Sequence, residues 1–260
     1  MKRESRALAP PDFAPELRLA AERLPKPVRF RMLNALNHSD AALKLLAIDR
    51  EMASFQAITG EEEGAAALIR AIQLRDYPHA SRLSIRDHQH KAAFIPFIAG
   101  VRNHFARGFS KLNVTLDYAK PRIDVHIPLS ELGVELSDKT LGLQPVEPLD
   151  IRSMKPGPDG TEIPHTFAKE LSEIAKGANY EGIKEFVKSQ ANSRNRLLYA
   201  SDSALPKSKT TEAVLIARRR NVLVMLGLTV IVMQTRTHQA LVSRGIEVLL
   251  EILDRLPSPD

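Results

Sequence analysis

Three short stretches of the sequence carry side chains that could do chemistry. They are the acidic triplet at 61–63, the histidine-rich group at 87–91 and the segment at 191–199, which reads ANSRNRLLY. Carboxylates and histidines can move protons, and histidine does so most readily near neutral pH. The planar guanidinium of arginine binds phosphate, and asparagine and tyrosine add further hydrogen-bonding groups. The arginines at 194 and 196 could therefore bind phosphate, but composition and spacing alone show no complete catalytic motif.

The acidic triplet also has a purely structural interpretation. Thr59 is a suitable N-cap, and it would place residues 61–63 in the first turn of a helix that ends at Leu74. Acidic groups in a first turn meet the positive end of the helix dipole and need no other role. A start near Glu51 is the alternative for this helix.

The histidines and arginines have structural alternatives as well. His88 and His90 point about 200° apart on a helix, so they do not easily share one ion, and no metal site is expected. The arginines at 194 and 196 could compensate the dipole at a helix C-terminus. The run of three arginines at 218–220 spreads over about 200°, so its members cannot all face one ligand.

The composition is that of an ordinary globular protein with a core, since 43% of the residues are hydrophobic and 26% are charged. The formal net charge of +6 makes an RNA or DNA partner as plausible as a merely basic surface. Cysteine is absent, which excludes disulfides, thiolate zinc sites and cysteine nucleophiles and fits a reducing compartment, the cytoplasm. The sequence also lacks a phosphate-binding loop, a dinucleotide fingerprint and a GxSxG elbow, so no cofactor is expected.

Neither a secretory signal nor a membrane span is expected. Residues 1–11 are charged and contain prolines, without the apolar stretch of a signal peptide. Residues 221–233 are strongly apolar, but thirteen residues are fewer than the roughly twenty that a spanning helix needs. Arginines flank the stretch on both sides. We therefore interpret it as a buried core helix.

The elements that would position these residues are mostly helices. Hydrophobic periodicity, caps and prolines predict helices at 16–24, 28–48, 51 or 59 to 74, 84–107, 165–176, 180–190, 211–234 and 236–256. Pro96 should kink or split the fourth of these. Thr211 or Thr210 should cap the seventh. Residues 155–160 and 197–209 are predicted to be loops.

The pattern changes to period two in the middle of the chain. Apolar residues alternate with polar ones at 112–118 and again at 123–127, on both sides of Lys120-Pro121, which predicts a β-hairpin. The expected fold is mainly α: a single helical domain over 1–260, with a small antiparallel β insertion around residues 110–150. The apolar helices at 222–232 and 246–253 exceed what a thin bundle needs, which favours a homodimer.

The order of several short motifs resembles the AbiV-type abortive-infection family, which belongs to the HEPN superfamily of helical, often dimeric domains. The motifs span residues 30–235 as separate islands. They are the stretch from Ser54 to Glu63 followed by three alanines, Asp87-His88-x-x-Lys91, Arg194-Asn195-Arg196-Leu197-Leu198-Tyr199, Pro206, and Thr211-Glu212-Ala213.

The sequence departs from the family pattern in two places. Members often carry a lysine shortly after the glutamate pair, where this chain has Ala66 or Ala67. The ribonuclease signature of the superfamily is an arginine followed after four to six residues by histidine, but here Tyr199 follows Arg194. Tyrosine is a poor base at neutral pH. The pairs Arg31 with His38 and Arg82 with His88 also fit the spacing, but chance predicts as many.

The resemblance implies an antiphage or toxin-like protein that acts on RNA or on the translation machinery, as a metal-independent ribonuclease or as a non-catalytic dimeric partner. For the catalytic version, the implied catalytic residues are Arg194, His88, Tyr199 and Glu62. The implied substrate-binding residues are Lys91, Asn195, Arg196 and Glu63. His88 would carry the proton, while Arg194 and Lys91 would neutralise phosphate. In the alternative, the same residues form a structural hydrogen-bond network.

Overall fold

The computed structural model of the protein describes residues 13–108, 113–117, 122–128, 142–157, 159–199, 207–235 and 237–254. Most of these residues are helical. The helices are α1 (Ala14–Glu22), α2 (Lys26–Leu45), α3 (Arg50–Leu74), α4 (His88–Gly108), α5 (Ala168–Gly177), α6 (Ile183–Ala191), α7 (Ser193–Leu198), α8 (Glu212–Gln234) and α9 (Ala240–Asp254). The strands are β1 (Asn113–Asp117), β2 (Arg122–Pro128), β3 (Gly142–Leu143), β4 (Met154–Pro156) and β5 (Glu162–Pro164). The expectation of a helical bundle with a small antiparallel β insertion is confirmed.

Helix α3 lies at the centre of the bundle, between α2 and α8. Its residues are buried on nearly all sides from Gly64 to Ile69, because small side chains let both neighbours approach closely. At Gly60 an added Cβ would lie 3.2 Å from the backbone oxygen of Ala35 on α2. The close approach of these two helices therefore depends on a residue without a side chain.

Replacing Gly60 by valine is expected to lower the free energy of unfolding by about 1–3 kcal/mol, because the obstacle is helix backbone that cannot rotate away. Chemical denaturation measures the effect. Gly177→Val is the matched control, since nothing lies within 4 Å of a Cβ at Gly177. Equal losses in the two variants would show that the close approach of α2 and α3 does not set the cost.

Of the two predicted starts of this helix, the one near Glu51 is confirmed and the one at Thr59 is wrong. Helix α3 begins at Arg50 after Asp49, whose side chain accepts a hydrogen bond from the Met52 amide at 2.8 Å. Thr59 lies inside the helix, where its hydroxyl donates to the Phe55 carbonyl oxygen at 2.9 Å. Because Asp49 caps the helix twelve residues before the acidic triplet begins, the triplet occupies the middle of a packed helix. The dipole interpretation of these glutamates therefore fails.

Helix α4 begins four residues later than predicted and continues through Pro96 to Gly108, the predicted stop. Its start is set by Asp87, whose carboxylate accepts from the Gln89 amide at 2.7 Å and from the His90 amide at 3.4 Å. His88 therefore lies in the first turn.

The predicted hairpin is present. Strands β1 and β2 pair antiparallel with Val114 opposite Val125, and β3 pairs with the far end of β2, with Leu143 opposite Ile127. The Gln234 side chain, at the end of α8, accepts from the Ile123 amide at 2.7 Å and donates to its carbonyl oxygen at 2.8 Å. This exchange fixes β2 to the helical bundle.

A second hairpin was not predicted. Strands β4 and β5 pair antiparallel, with Lys155 opposite Ile163, around the turn predicted at 155–160. Three-residue strands are too short for alternation to show in the sequence. Helix α7 was also missed: the preceding helix was predicted to end at residue 190, and the last two residues of α7 were assigned to the loop at 197–209. Residues 200–206 of that predicted loop, Pro206 among them, lie outside the described residues.

Helices α8 and α9 close the bundle. Thr211 caps α8 as predicted, and its hydroxyl accepts from the Val214 amide at 3.4 Å. Most of the apolar residues at 222–232 and 246–253 are buried inside the chain, so they do not by themselves call for a second subunit. No described helix combines the length and the apolar character that crossing a bilayer requires.

Candidate active site around Glu62

Four side chains from three helices meet near the middle of α3. Glu62 projects from α3, His88 and Lys91 lie one turn apart on α4, and Arg194 comes from α7. Residues three apart on a helix share a face, which explains why His88 and Lys91 reach the same carboxylate. We call these four residues the Glu62 cluster.

The carboxylate of Glu62 is the common acceptor of the cluster. Its Oε1 lies 2.9 Å from Nδ1 of His88, and its Oε2 accepts from Nζ of Lys91 at 3.2 Å and from a guanidinium nitrogen of Arg194 at 3.4 Å. The other terminal nitrogen of Arg194 lies 3.4 Å from Nε2 of His88. A ring of contacts therefore joins histidine, carboxylate and arginine.

The four side chains of the cluster differ in their exposure to solvent. The side chains of Glu62 and Lys91 are each 10% exposed, whereas those of Arg194 and His88 are 30% and 39% exposed. One carboxylate faces two permanent cations, so the cluster carries a surplus positive charge even with neutral histidine. A partly open site with surplus positive charge attracts anions.

Glu62 also determines which nitrogen of His88 can act. Because Nδ1 faces a carboxylate, it is the donor nitrogen of neutral imidazole, and Nε2 keeps the lone pair. A carboxylate that holds a histidine in one tautomer and orientation prepares the other nitrogen to accept a proton. Nε2 lies beside Arg194, and His88 and Arg194 are the two more exposed members of the cluster.

The neighbouring Glu61 has a different environment. It is 2% exposed, and its carboxylate accepts from the Arg218 guanidinium and from the Asn221 amide at 2.8 Å. Burial raises the pKa of Glu61, and the arginine and asparagine oppose that rise. A void of about 10 Å³ touches both Glu61 and Glu62. It has room for about one water, so a larger substrate must lie outside, beside His88 and Arg194.

The remaining predicted site residues lie apart from this ring. Glu63 faces Arg31 on α2, with 3.7 Å between their charged groups. Arg196 donates to the backbone oxygen and hydroxyl of Ser189 and to Ser193. Asn195 is exposed, and Tyr199 is 69% exposed. Within the described residues, no hydrogen bond of the ring uses Asn195, Arg196 or Tyr199.

Comparisons of the chain with protein-family models, curated proteins and solved structures find no match. The resemblance to the AbiV-type family therefore rests on the sequence islands alone.

Sequence reasoning missed the Glu61 site. It treated residues 61–63 as one acidic unit, and although it expected the arginines at 218–220 to point in different directions, it assigned no partner to any of them. Arg218 pairs with Glu61, Arg219 donates to Asp40 at 2.5 Å, and Arg220 is exposed. The spacing of Arg218 and Asn221 could have indicated this site, because residues three apart lie on the same face of a helix.

Proposed function

We propose that the chain is a HEPN-type antiphage or toxin-like protein of the cytoplasm that cleaves RNA at the Glu62 cluster without a metal ion. The supporting observation is the convergence of Arg194, Lys91 and an oriented His88 on one buried carboxylate at a partly open surface. The same residues are those that the AbiV-type resemblance implies. The basic net charge of +6 adds a general attraction for polyanions.

The residues suggest a division of roles for RNA cleavage. Nε2 of His88 accepts the proton of a ribose 2′-hydroxyl, whose oxygen attacks the adjacent phosphorus. Arg194 and Lys91 stabilise the negative charge that develops on the phosphoryl oxygens. The bond to the 5′-oxygen breaks, and that oxygen receives the proton from the histidinium. The products are a 2′,3′-cyclic phosphate and a 5′-hydroxyl end.

This division of roles explains the arginine contact in the resting site. Arg194 lies against Nε2 of His88 at 3.4 Å, which is long for a hydrogen bond. A phosphate would draw the guanidinium toward itself and free Nε2 for the 2′-hydroxyl. Glu62 stays in place, because Lys91 still neutralises it.

Two assays test the function without any variant. Induced expression is expected to arrest growth, with loss of intact RNA before protein synthesis fails. The purified protein is expected to cleave single-stranded RNA in the presence of a chelator and to leave DNA of the same sequence intact. Normal growth together with intact RNA would contradict the proposal.

A second function is favoured by one observation: every member of the Glu62 cluster is paired inside the chain. In that case the cluster holds α3, α4 and α7 together, and the protein acts through a dimer or another partner. Light scattering at micromolar protein concentration tests whether the protein is a dimer, because a dimer has twice the mass of one chain. A strictly monomeric mass would contradict the dimer hypothesis.

A further inference from the structure

A second group of ionisable side chains lies at the other end of α4. His104 from α4, His165 from the segment after β5 and Glu170 from α5 meet there, and we call them the two-histidine cluster. Nδ1 of His104 lies 3.1 Å from one oxygen of Glu170, and Nε2 of His165 lies 3.2 Å from the other. The imidazole rings stack with 4.2 Å between their centroids.

We propose that the two-histidine cluster binds a divalent first-row transition metal, with zinc as the best fit. The ligands would be Nδ1 of His104, Nε2 of His165 and the carboxylate of Glu170. These three ligand atoms lie within 4.8 Å of one another. Zinc bonds to nitrogen and oxygen are about 2.0–2.1 Å long, which puts tetrahedral ligand atoms about 3.3 Å apart. Each histidine nitrogen lies close to that distance from one of the two carboxylate oxygens, 3.1 Å for His104 and 3.2 Å for His165.

The charge of this cluster suits a cation, unlike that of the Glu62 cluster. Glu170 is buried, with 4% of its side chain exposed. In the described part of the chain, its side-chain hydrogen-bond partners are the two histidines. With neutral imidazoles the group carries one negative charge. At Glu62, by contrast, a lysine and an arginine already occupy the carboxylate and would repel a metal ion.

A second layer of contacts orients the ligands. Nε2 of His104 lies 2.7 Å from the hydroxyl of Ser153. Histidines that bind metals nearly always donate their other ring N–H to an acceptor such as a carboxylate, a backbone carbonyl or water. The hydroxyl oxygen of Ser153 can accept in the same way. If Nε2 donates to Ser153, then Nδ1 presents a lone pair to the Glu170 carboxylate, and a cation between them satisfies both. The carbonyl oxygen of His165 also accepts from Arg244 at 3.0 Å, which fixes that segment to α9.

The chain between the ligands adopts a costly conformation. Phe167 has a φ of 53°, in the left-handed region that bulky residues rarely adopt, and its side chain is buried. Its ring meets His165 and His104 edge-on, with centroids 4.8 and 5.3 Å away. Such strain persists where the surroundings enforce it, often at functional sites. Here it turns the chain so that His165 and Glu170 face the same point.

Three protein ligands leave one tetrahedral position for water or a substrate, as in catalytic zinc sites. Solvent can reach this position, because the side chains of His104 and His165 are 25% and 19% exposed. The site is separate from the Glu62 cluster: sixteen residues of α4 between His88 and His104 correspond to about 24 Å. The inference therefore does not depend on the proposed RNA cleavage.

Metal titration of the full chain tests the proposal. Protein without a histidine tag, stripped with a chelator, is expected to bind one equivalent of Zn²⁺ by calorimetry and to give tetrahedral Co²⁺ absorption bands with one equivalent of Co²⁺. His165→Ala and Glu170→Gln should each weaken Zn²⁺ binding by about 100-fold or more, and Ser153→Ala by about 10-fold. His238→Ala, which removes an exposed histidine outside the cluster, should leave the affinity for Zn²⁺ unchanged.

Circular dichroism separates loss of fold from loss of ligand, and Ser153→Ala keeps the proposal testable if a ligand variant unfolds. The proposal fails if stripped protein binds no stoichiometric Zn²⁺, or if His165→Ala binds as tightly as the wild type. Either result would leave a metal-free hydrogen-bonded triad that joins α5 to α4.

Discussion

Arg194→Ala is expected to lower the rate of RNA cleavage by about 10²- to 10³-fold, the usual loss when one group that stabilises transition-state charge is removed. Arg194 is 30% exposed and reaches both Glu62 and His88. It is the member of the Glu62 cluster best placed to move onto a phosphate. Single-turnover cleavage of one defined RNA measures the effect, and a denaturation curve recorded beside it checks that the variant is folded.

Three matched variants sharpen the result. Arg220→Ala removes the same charge from an exposed position on α8 and should leave the rate within about twofold of wild type. Arg194→Lys keeps the charge but loses the two-pronged geometry, so it should recover only part of the activity. Tyr199→Phe should be silent, because the ring is exposed outside the cluster. Loss of activity in Arg220→Ala as large as in Arg194→Ala would show that net charge alone matters.

The largest stability effect is expected at the buried pair of Glu61 and Arg218. Arg218→Ala should lower the free energy of unfolding by about 3–5 kcal/mol, since it leaves a carboxylate without its cation where only 2% of Glu61 is exposed. Chemical denaturation measures the loss, and Arg220→Ala serves again as the control. Replacing both partners, as Glu61→Leu with Arg218→Met, should recover most of it. A double variant as unstable as the single one would contradict this account.

The same pair predicts a pH dependence. Because burial raises the pKa of Glu61 above its usual value of 4.5, the folded state holds that proton more tightly than the unfolded chain does. The contribution of this group to the free energy of unfolding is therefore full below pH 4.5 and falls as the pH rises through the folded-state pKa. The wild type should therefore lose stability relative to Glu61→Gln as the pH rises through the folded-state pKa of Glu61. A difference that is constant with pH would contradict it.

Much of the fold could be predicted because long helices leave strong periodic signals. Helices α2, α8 and α9 were found within a few residues, and so was the hairpin of β1 and β2. Two starts were left open for α3, because Thr59 and the glutamates after it imitate a helix start, whereas Asp49 is the actual cap. Strands β4 and β5 and helix α7 span at most six residues each, too few for a period to emerge.

The candidate site was only partly accessible to sequence reasoning. Glu62, His88, Lys91 and Arg194 were brought together by a resemblance, since no spacing rule links residues as far as 132 positions apart. Tyr199 was included because it follows Arg194 in the chain, but it is the C-cap of α7, with an extended backbone conformation, and its side chain faces solvent. His104 and Glu170 are 66 positions apart, so only the fold reveals the two-histidine cluster.

The proposed ribonuclease activity depends on His88, held by Glu62, taking the proton of a ribose 2′-hydroxyl. Cleavage of one RNA oligonucleotide by the wild type and by His88→Ala, in the presence of a chelator and with the product ends identified, tests this role. We expect a 2′,3′-cyclic phosphate with the wild type, a rate about 10²- to 10⁴-fold lower with His88→Ala, and no cleavage when the scissile nucleotide is 2′-deoxy. Equal rates for the two proteins, or cleavage of the 2′-deoxy substrate, would contradict it.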